Sequence, residues 1–241
     1  MIDIHSHILP GIDDGARTLT ESVEIVKELA GQGVTAIIAT PHYITESIYT
    51  SPRSKNEKLL GELREAVKVA GVKVRLELGN EIYMDGKIEQ LLQNKLISPL
   101  AGGKYLLVEL PMSGEYPSFR DILLELIYDG HKVVLAHPER YTSFQKDYDQ
   151  IDDLSELGVL MQCNLGSFLK QYGRKAQKIA ERMAKEHRIF ALGSDAHHCR
   201  GDDRVARALS KLTKYYTPDE LFQLTDKNPA KILRASKSSK K

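Results

Sequence analysis

A chain of 241 residues, 41% hydrophobic, is long enough to bury a substantial core and suits one large α/β domain. Its 34 lysines and arginines nearly cancel its 33 aspartates and glutamates, which argues against the basic excess of a nucleic-acid binder. Two cysteines, Cys163 and Cys199, exclude a disulfide framework, and no stretch reaches the about 18 apolar residues of a membrane span, so a cytoplasmic protein is expected.

The first apolar run, IDI (2–4), leads into HSH. Residues two apart on a strand face one side, so His5 and His7 project together, with Cα atoms roughly 6–7 Å apart. TLTESVEIVKELAGQG (18–33) then predicts an amphipathic helix, with Thr20 as N-cap and glycines at its end. The second run, TAIIAT (35–40), ends in His42. A second amphipathic stretch, 56–71, precedes VRLEL (74–78), which ends in Glu81. YLLVEL (105–110) carries Glu109 inside an apolar run, where an unpaired carboxylate is costly and a cation would relieve the cost. KVVLAH (132–137) ends in His137, followed by Glu139 and Arg140. VLMQCN (159–164) ends in Asn164, and a third amphipathic stretch (173–187) precedes IFALGS (189–194), which delivers Asp195 and His197. RASKSSKK (234–241) closes the chain, its last six residues, 236–241, expected to be a solvated, disordered basic tail.

Short apolar runs rich in β-branched residues, alternating with amphipathic helices, predict parallel strands buried on both faces. Seven such runs point to a closed (β/α) barrel in a single domain, 1–235; an open doubly wound sheet would carry a glycine-rich phosphate loop, and neither GxGxxG nor GxxxxGK[ST] occurs. Barrel chemistry sits at the C-terminal ends of strands, and six of the seven runs end there in a histidine or an acid. Each residue alone has an ordinary explanation as a loop residue or helix cap; together on one rim they predict a metal site. Imidazole and carboxylate donors without thiolate suit Mn, Fe or Zn in a hydrolytic centre. His131 and His187 precede strands and fall on the opposite rim, and His198 is expected to point elsewhere.

HxH on the first strand, PH on the second, E on the third, HPER on the fifth and DAH on the seventh resemble the PHP superfamily of metal-dependent phosphoesterases. DIHSHILPGIDDGA, with GNEIY and HPERY, is similar more narrowly to the bacterial manganese-dependent protein-tyrosine phosphatases of capsular polysaccharide synthesis (CpsB/YwqE-like). The resemblance runs from residue 1 to about 235 and implies a distorted seven-stranded (β/α) barrel of PHP type with two to three divalent ions. Mn2+ is the implied metal, with Fe, Zn, Mg or Co as alternatives. One ion would take His5, His7, Glu81 and Asp195; a second Glu81, Glu109 and His137; a third Asp14, His42 and His197. Asp13 remains the alternative to Asp14. Arg140 matches an arginine that grips phosphate, and Arg204 is the choice for a second, with Arg200 as competitor because that loop carries extra residues.

The implied reaction is phosphotyrosine hydrolysis by a metal-activated hydroxide, with His42 or His197 helping to neutralise the leaving phenolate. The implied partner is a bacterial tyrosine autokinase of exopolysaccharide synthesis; a small phosphate ester such as histidinol phosphate is the alternative substrate, and oligomerisation stays open. HCRGDDR superficially suggests the HCx5R loop of cysteine phosphatases, but Cys199 and Arg204 enclose four residues, one too few. Residues 43–56 and 112–119, rich in Ser, Pro and Tyr, are expected to stand over the site.

Overall fold

A computed structural model describes residues 1–113 and 117–238. The described residues form nine strands, β1 (Ile2–Ser6), β2 (Ala36–Ala39), β3 (His42–Tyr43), β4 (Arg75–Leu78), β5 (Glu81–Tyr83), β6 (Tyr105–Glu109), β7 (Lys132–Ala136), β8 (Leu160–Asn164) and β9 (Ile189–Gly193), interspersed with helices. The helices are α1 (Leu19–Gly31), α2 (Arg53–Val69), α3 (Ile88–Gln93), α4 (Pro117–Tyr128), α5 (Thr142–Lys146), α6 (Asp149–Glu156), α7 (Gly173–Lys185), α8 (Arg204–Leu212), α9 (Pro218–Phe222) and α10 (Asn228–Ser238). All strand pairings are parallel, in a three-stranded sheet ordered β1-β2-β4 and a six-stranded sheet ordered β3-β5-β6-β7-β8-β9. No helix of the described residues is long and apolar enough to cross a membrane. Residues 114–116 of the expected site-covering loop and 239–241 of the basic tail lie outside the described residues.

Each expected apolar run is a strand, but the count is nine rather than seven. The second and third runs break after Ala39 and Leu78, where Thr40–Pro41 and Gly79–Asn80 interrupt the ladder, and each resumes as a short strand in the other sheet. Proline cannot donate to a ladder, and Gly79 lies so close to Leu100 that a Cβ there would overlap it. The described hydrogen bonds therefore form two sheets rather than one closed seven-stranded ring. The first and last strands still meet: Asp195 N donates to His5 O and His7 N to Ala196 O, both at 2.9 Å. The first helix is capped by Thr18, not Thr20: its hydroxyl accepts from Glu21 N at 3.2 Å.

Both strand faces are apolar. Ile37, Leu106, Val108, Val133, Leu135, Met161 and Leu192 pack outward against the helices, while Ile38, Leu107, Val134, Ala136 and Ala191 form a second cluster with Ile232 and Leu233 of α10. This inner face carries the site. Glu109 follows Leu107 by two positions, Glu81 pairs with Leu107 in register, and His42 pairs with Glu81.

His5 reaches the same face through an irregularity. Asp3 pairs with Ile37 and Ser6 with Ala39, so Ile4 and His5 together oppose Ile38 alone, a β-bulge. The extra residue turns His5, and with it His7, inward. Buried Asp3 satisfies the local amides, accepting from His5 N at 3.2 Å and Ser194 N at 3.0 Å.

Candidate metal centre

Eight donor side chains from the strand ends, and Asp14 from the loop after β1, converge on one cleft. Glu81 is at the centre: its Oε2 lies 3.2 Å from Nε2 of both His5 and His7 and 3.1 Å from His42 Nδ1, while Oε1 is 2.9 Å from His137 Nε2. Asp195 Oδ1 is 3.6 Å from His5 Nε2, 3.5 Å from His7 Nε2 and 3.5 Å from His197 Nδ1. Glu109 stands 3.6 Å from His137 and 3.7 Å from His42. Asp14 Oδ1 lies 3.5 Å from His42 Nε2 and 3.4 Å from His197 Nε2. Three groups have donor atoms close enough to share an ion: His5, His7 and Glu81; His42, Glu81 and Glu109; and His7, Asp14, His42 and His197.

The backbone takes unusual forms to deliver these groups. His137 (φ 33°) and Asp195 (φ 50°) are left-handed non-glycine residues, a conformation that costs energy and here turns strand-end side chains into the cleft. The loop carrying Asp13 and Asp14 folds back onto β1 at Gly15, where any Cβ would overlap the His7 carbonyl.

Outer partners fix the imidazoles. His5 Nδ1 donates to Gln162 Oε1 at 2.8 Å and His7 Nδ1 to Asp13 Oδ2 at 3.0 Å, which leaves both Nε2 atoms facing Glu81. Asp13 also accepts from His42 N and Gly15 N. Asp13 thus sits behind His7, and Asp14 is the one that faces the His42–His197 pair.

Charge in the cleft is strongly perturbed. Burial would depress His5, but the Glu81 and Asp195 carboxylates hold it up at about 9. Burial would raise Glu81, yet His5, His42 and His137 keep it well below the usual carboxylate range. Burial and the charge on Glu81 push Glu109 up to about 9. Desolvation lowers His137 to about 4, and the hydrogen bond with His197 lowers Asp14 to about 2. Four carboxylates, Asp14, Glu81, Glu109 and Asp195, face one cleft of about 400 Å³. Buried Glu81 Oε2, His42 Nδ1 and His137 Nδ1 have no hydrogen-bond partner. Unpartnered buried nitrogen and oxygen donors at these separations fit divalent cations and have no other evident use.

The sequence matches the family model described as "Capsular polysaccharide synthesis, CpsB/CapC" over residues 1–234. The chain belongs to the CpsB/CapC family. CapC of Staphylococcus aureus is 31% identical over 226 residues, 92% of this chain and 88% of that protein. The tyrosine-protein phosphatase YwqE of Bacillus subtilis is 29% identical over 235 residues, 97% of this chain and 92% of that one. A structure from the pair YwqE of Bacillus subtilis and CpsB of Streptococcus pneumoniae, metal-dependent tyrosine phosphatases, superposes with a TM-score of 0.90 at 28% identity, covering 98% of this chain and 95% of that chain.

In this CpsB/CapC chain the arginines divide differently from expectation. Arg140 lines the cleft, its Nη1 donating to Asp195 Oδ2 at 3.0 Å. Arg204, the expected second arginine, does not: at the start of α8 its buried Nε and Nη2 grip Asp202 at 3.1 and 3.2 Å. Arg200 lines the cleft in its place. The turn at Gly201 (φ 64°) and the Asp202 clamp fold the two extra residues so that the earlier arginine faces inward.

His198, expected to point away, bonds Glu21 Oε1 at 3.1 Å yet also lines the cleft. His131 pairs with Glu89, away from the cleft. Cys199 Sγ donates to Glu28 Oε2 at 2.9 Å, and that hydrogen bond pushes its thiol up, opposite to what a nucleophilic cysteine needs. Tyr49, in the 43–56 loop, stacks on His42 with centroids 5.9 Å apart, so part of that loop does stand at the site.

Three residues at the site carried no signal in the sequence. Gln162, buried behind His5, lay within an apolar run, and Gln171 and Tyr172 line the cleft from the turn before α7, away from any strand end. Tyr172 donates to Asp195 Oδ2 at 2.9 Å; burial and the Asp195 charge push its phenol up, which keeps it a donor.

Proposed function

We propose that this chain is a metal-dependent phosphatase that hydrolyses phosphotyrosine on a protein of the capsular or exopolysaccharide machinery, a bacterial tyrosine autokinase. The observation that carries the reading is the convergence of four carboxylates and five histidines on the cleft that also presents Arg140. Such a cleft would repel a phosphate dianion unless cations reversed its sign. Membership of the CpsB/CapC family and the likeness to the phosphatases YwqE and CpsB support the same conclusion.

The proposed ligands are His5, His7, Glu81 and Asp195 for one ion, Glu81, Glu109 and His137 for a second, and Asp14, His42 and His197 for a third. His7 and His42 each belong to two of the three donor groups, so each would also serve a neighbouring ion. Mn2+ is the proposed metal. When bound, the ions supply Lewis-acid polarisation of the phosphoryl group and lower the pKa of a nucleophilic water.

The chain's own groups do the rest. Arg140 and Arg200 grip equatorial phosphate oxygens and offset the charge that develops there. Asp195 and Glu81 hold His5 in place, and Gln162 and Asp13 fix the ring orientations of His5 and His7. His42 or His197, both beside Asp14, would help neutralise the departing phenolate. A phenolate leaves with a pKa near 10, so it needs less protonation than an alkoxide. Part of the same proposal are a PHP-type distorted barrel spanning 1–235 as one domain and a cytoplasmic location.

The test is a substrate panel on the purified chain with added Mn2+: phosphotyrosyl peptide, phosphoseryl peptide and histidinol phosphate, each before and after chelation. Preferential, chelator-sensitive turnover of the phosphotyrosyl peptide is expected. Preference for histidinol phosphate would overturn the substrate, and turnover that survives chelation would overturn the chemistry.

A further inference from the structure

Three donors from separate elements meet a single carboxylate oxygen in the cleft. Arg140 Nη1, Asn164 Nδ2 and the Tyr172 hydroxyl donate to Asp195 Oδ2 at 3.0, 2.7 and 2.9 Å. One carboxylate oxygen offers about two lone-pair sites, so three donors leave Oδ2 no acceptor capacity to spare. Asp195 therefore presents only Oδ1 to the histidines, and Oδ1 is the atom that lies 3.5–3.6 Å from His5, His7 and His197. Tyr172 does more than complete this set. Its ring lies beneath the Arg140 guanidinium, whose carbon is 4.3 Å from the ring centroid. Arg140 is thus held twice, by an ion pair at its edge and by an aromatic face below.

The geometry points to Tyr172 as a positioning residue that locks Asp195 with Oδ1 toward the cations and Arg140 toward the incoming phosphate, so that one side chain serves both cation affinity and phosphate grip. The inference rests on the phosphatase reading of the cleft. Its two parts are chemically separable: the hydroxyl serves Asp195, and the ring serves Arg140. A tyrosine that merely filled space would show neither dependence.

Tyr172→Phe keeps the ring and removes the hydroxyl, while Tyr172→Leu removes both. Two readouts are taken: Mn2+ binding to the metal-stripped chain by calorimetry, and KM for a phosphotyrosyl peptide at saturating Mn2+. The Phe variant should bind Mn2+ about 10-fold more weakly, within the range seen when an outer partner of a ligand is lost, with KM within about twofold of wild type. The Leu variant should show the same metal defect and a KM raised about fivefold, the worth of a partly desolvated cation–π contact. Should Leu fail to fold, judged by its thermal melt, Tyr172→Met carries that arm. Unchanged Mn2+ binding by the Phe variant, or an unchanged KM in the variant lacking the ring, would overturn the inference while leaving the phosphatase intact. A wild-type chain that bound no Mn2+ and hydrolysed nothing would sink the phosphatase reading itself, and this inference with it.

Discussion

His42 and Glu81 are register partners on the adjacent parallel strands β3 and β5, and their side chains meet at 3.1 Å. The pairing matters because strand side chains alternate: slipping β5 by one residue would put Asn80 or Ile82 in the cleft and remove the carboxylate that touches four imidazoles. Glu81→Gln keeps the shape and removes the charge. It should lower Mn2+ affinity by more than about 100-fold, above the range for outer partners, and abolish turnover. Calorimetric Mn2+ titration checks this; near-wild-type binding would remove Glu81 from the centre.

Asp13 tests the outer layer. It accepts from His7 Nδ1 and from the His42 amide, so it orients one imidazole and anchors the strand that carries another. Asp13→Asn should weaken Mn2+ binding about 10–100-fold while the fold survives. Asp14→Asn, by contrast, removes an oxygen that faces His42 and His197 directly and should cost fewer ions per chain. Metal content by elemental analysis after dialysis separates the two.

The two arginines of the 198–204 loop make opposite predictions. Arg200→Ala should raise KM for a phosphotyrosyl peptide about 10-fold with little change in Tm. Arg204→Ala should leave KM near wild type and lower Tm by roughly 2–6 °C, because it breaks a buried guanidinium's clamp on Asp202. The reverse pattern would restore Arg204 as the phosphate ligand.

Protonation gives a test without mutation. In the metal-free chain His5, ordinarily near 6.5, is held up at about 9, and Glu109, ordinarily near 4.5, is pushed up to about 9. Both raised values mean that the folded chain binds protons the unfolded chain would release. The stabilisation this linkage provides is complete below each group's ordinary value and is lost as pH rises through about 9. Cations must displace the same protons, so Mn2+ affinity should climb between pH 6 and 9 and binding should release protons. Titrations at one pH in two buffers of different ionisation enthalpy measure the release; identical heats would contradict it.

The residues that converge on the cleft were legible because parallel strands place their C-terminal ends on one rim, and a strand end can be seen in sequence. His5, His7, His42, Glu81, Glu109, His137 and Asp195 all follow or close an apolar run. What escaped the sequence depends on loop geometry or local irregularity. The bulge at Ile4–His5 leaves no compositional trace, although without it strand alternation would set His5 on the opposite face. Arg204 was preferred to Arg200 because the loop after DAH carries extra residues, but Asp202 captures Arg204 and Arg200 is the one that lines the cleft. Tyr172 and Gln171 were invisible because the turn before α7 lies after β8 in the chain but folds back over the cleft. The break of two runs into four strands came from Pro41 and the crowded Gly79, residues readable as interruptions only once their neighbours are known.

Anomalous diffraction from crystals of the full chain soaked in Mn2+ tests the central claim most directly. Peaks should lie between His5, His7, Glu81 and Asp195, between Glu81, Glu109 and His137, and between Asp14, His42 and His197. An active enzyme whose map shows no manganese within bonding reach of Glu81 would contradict the account.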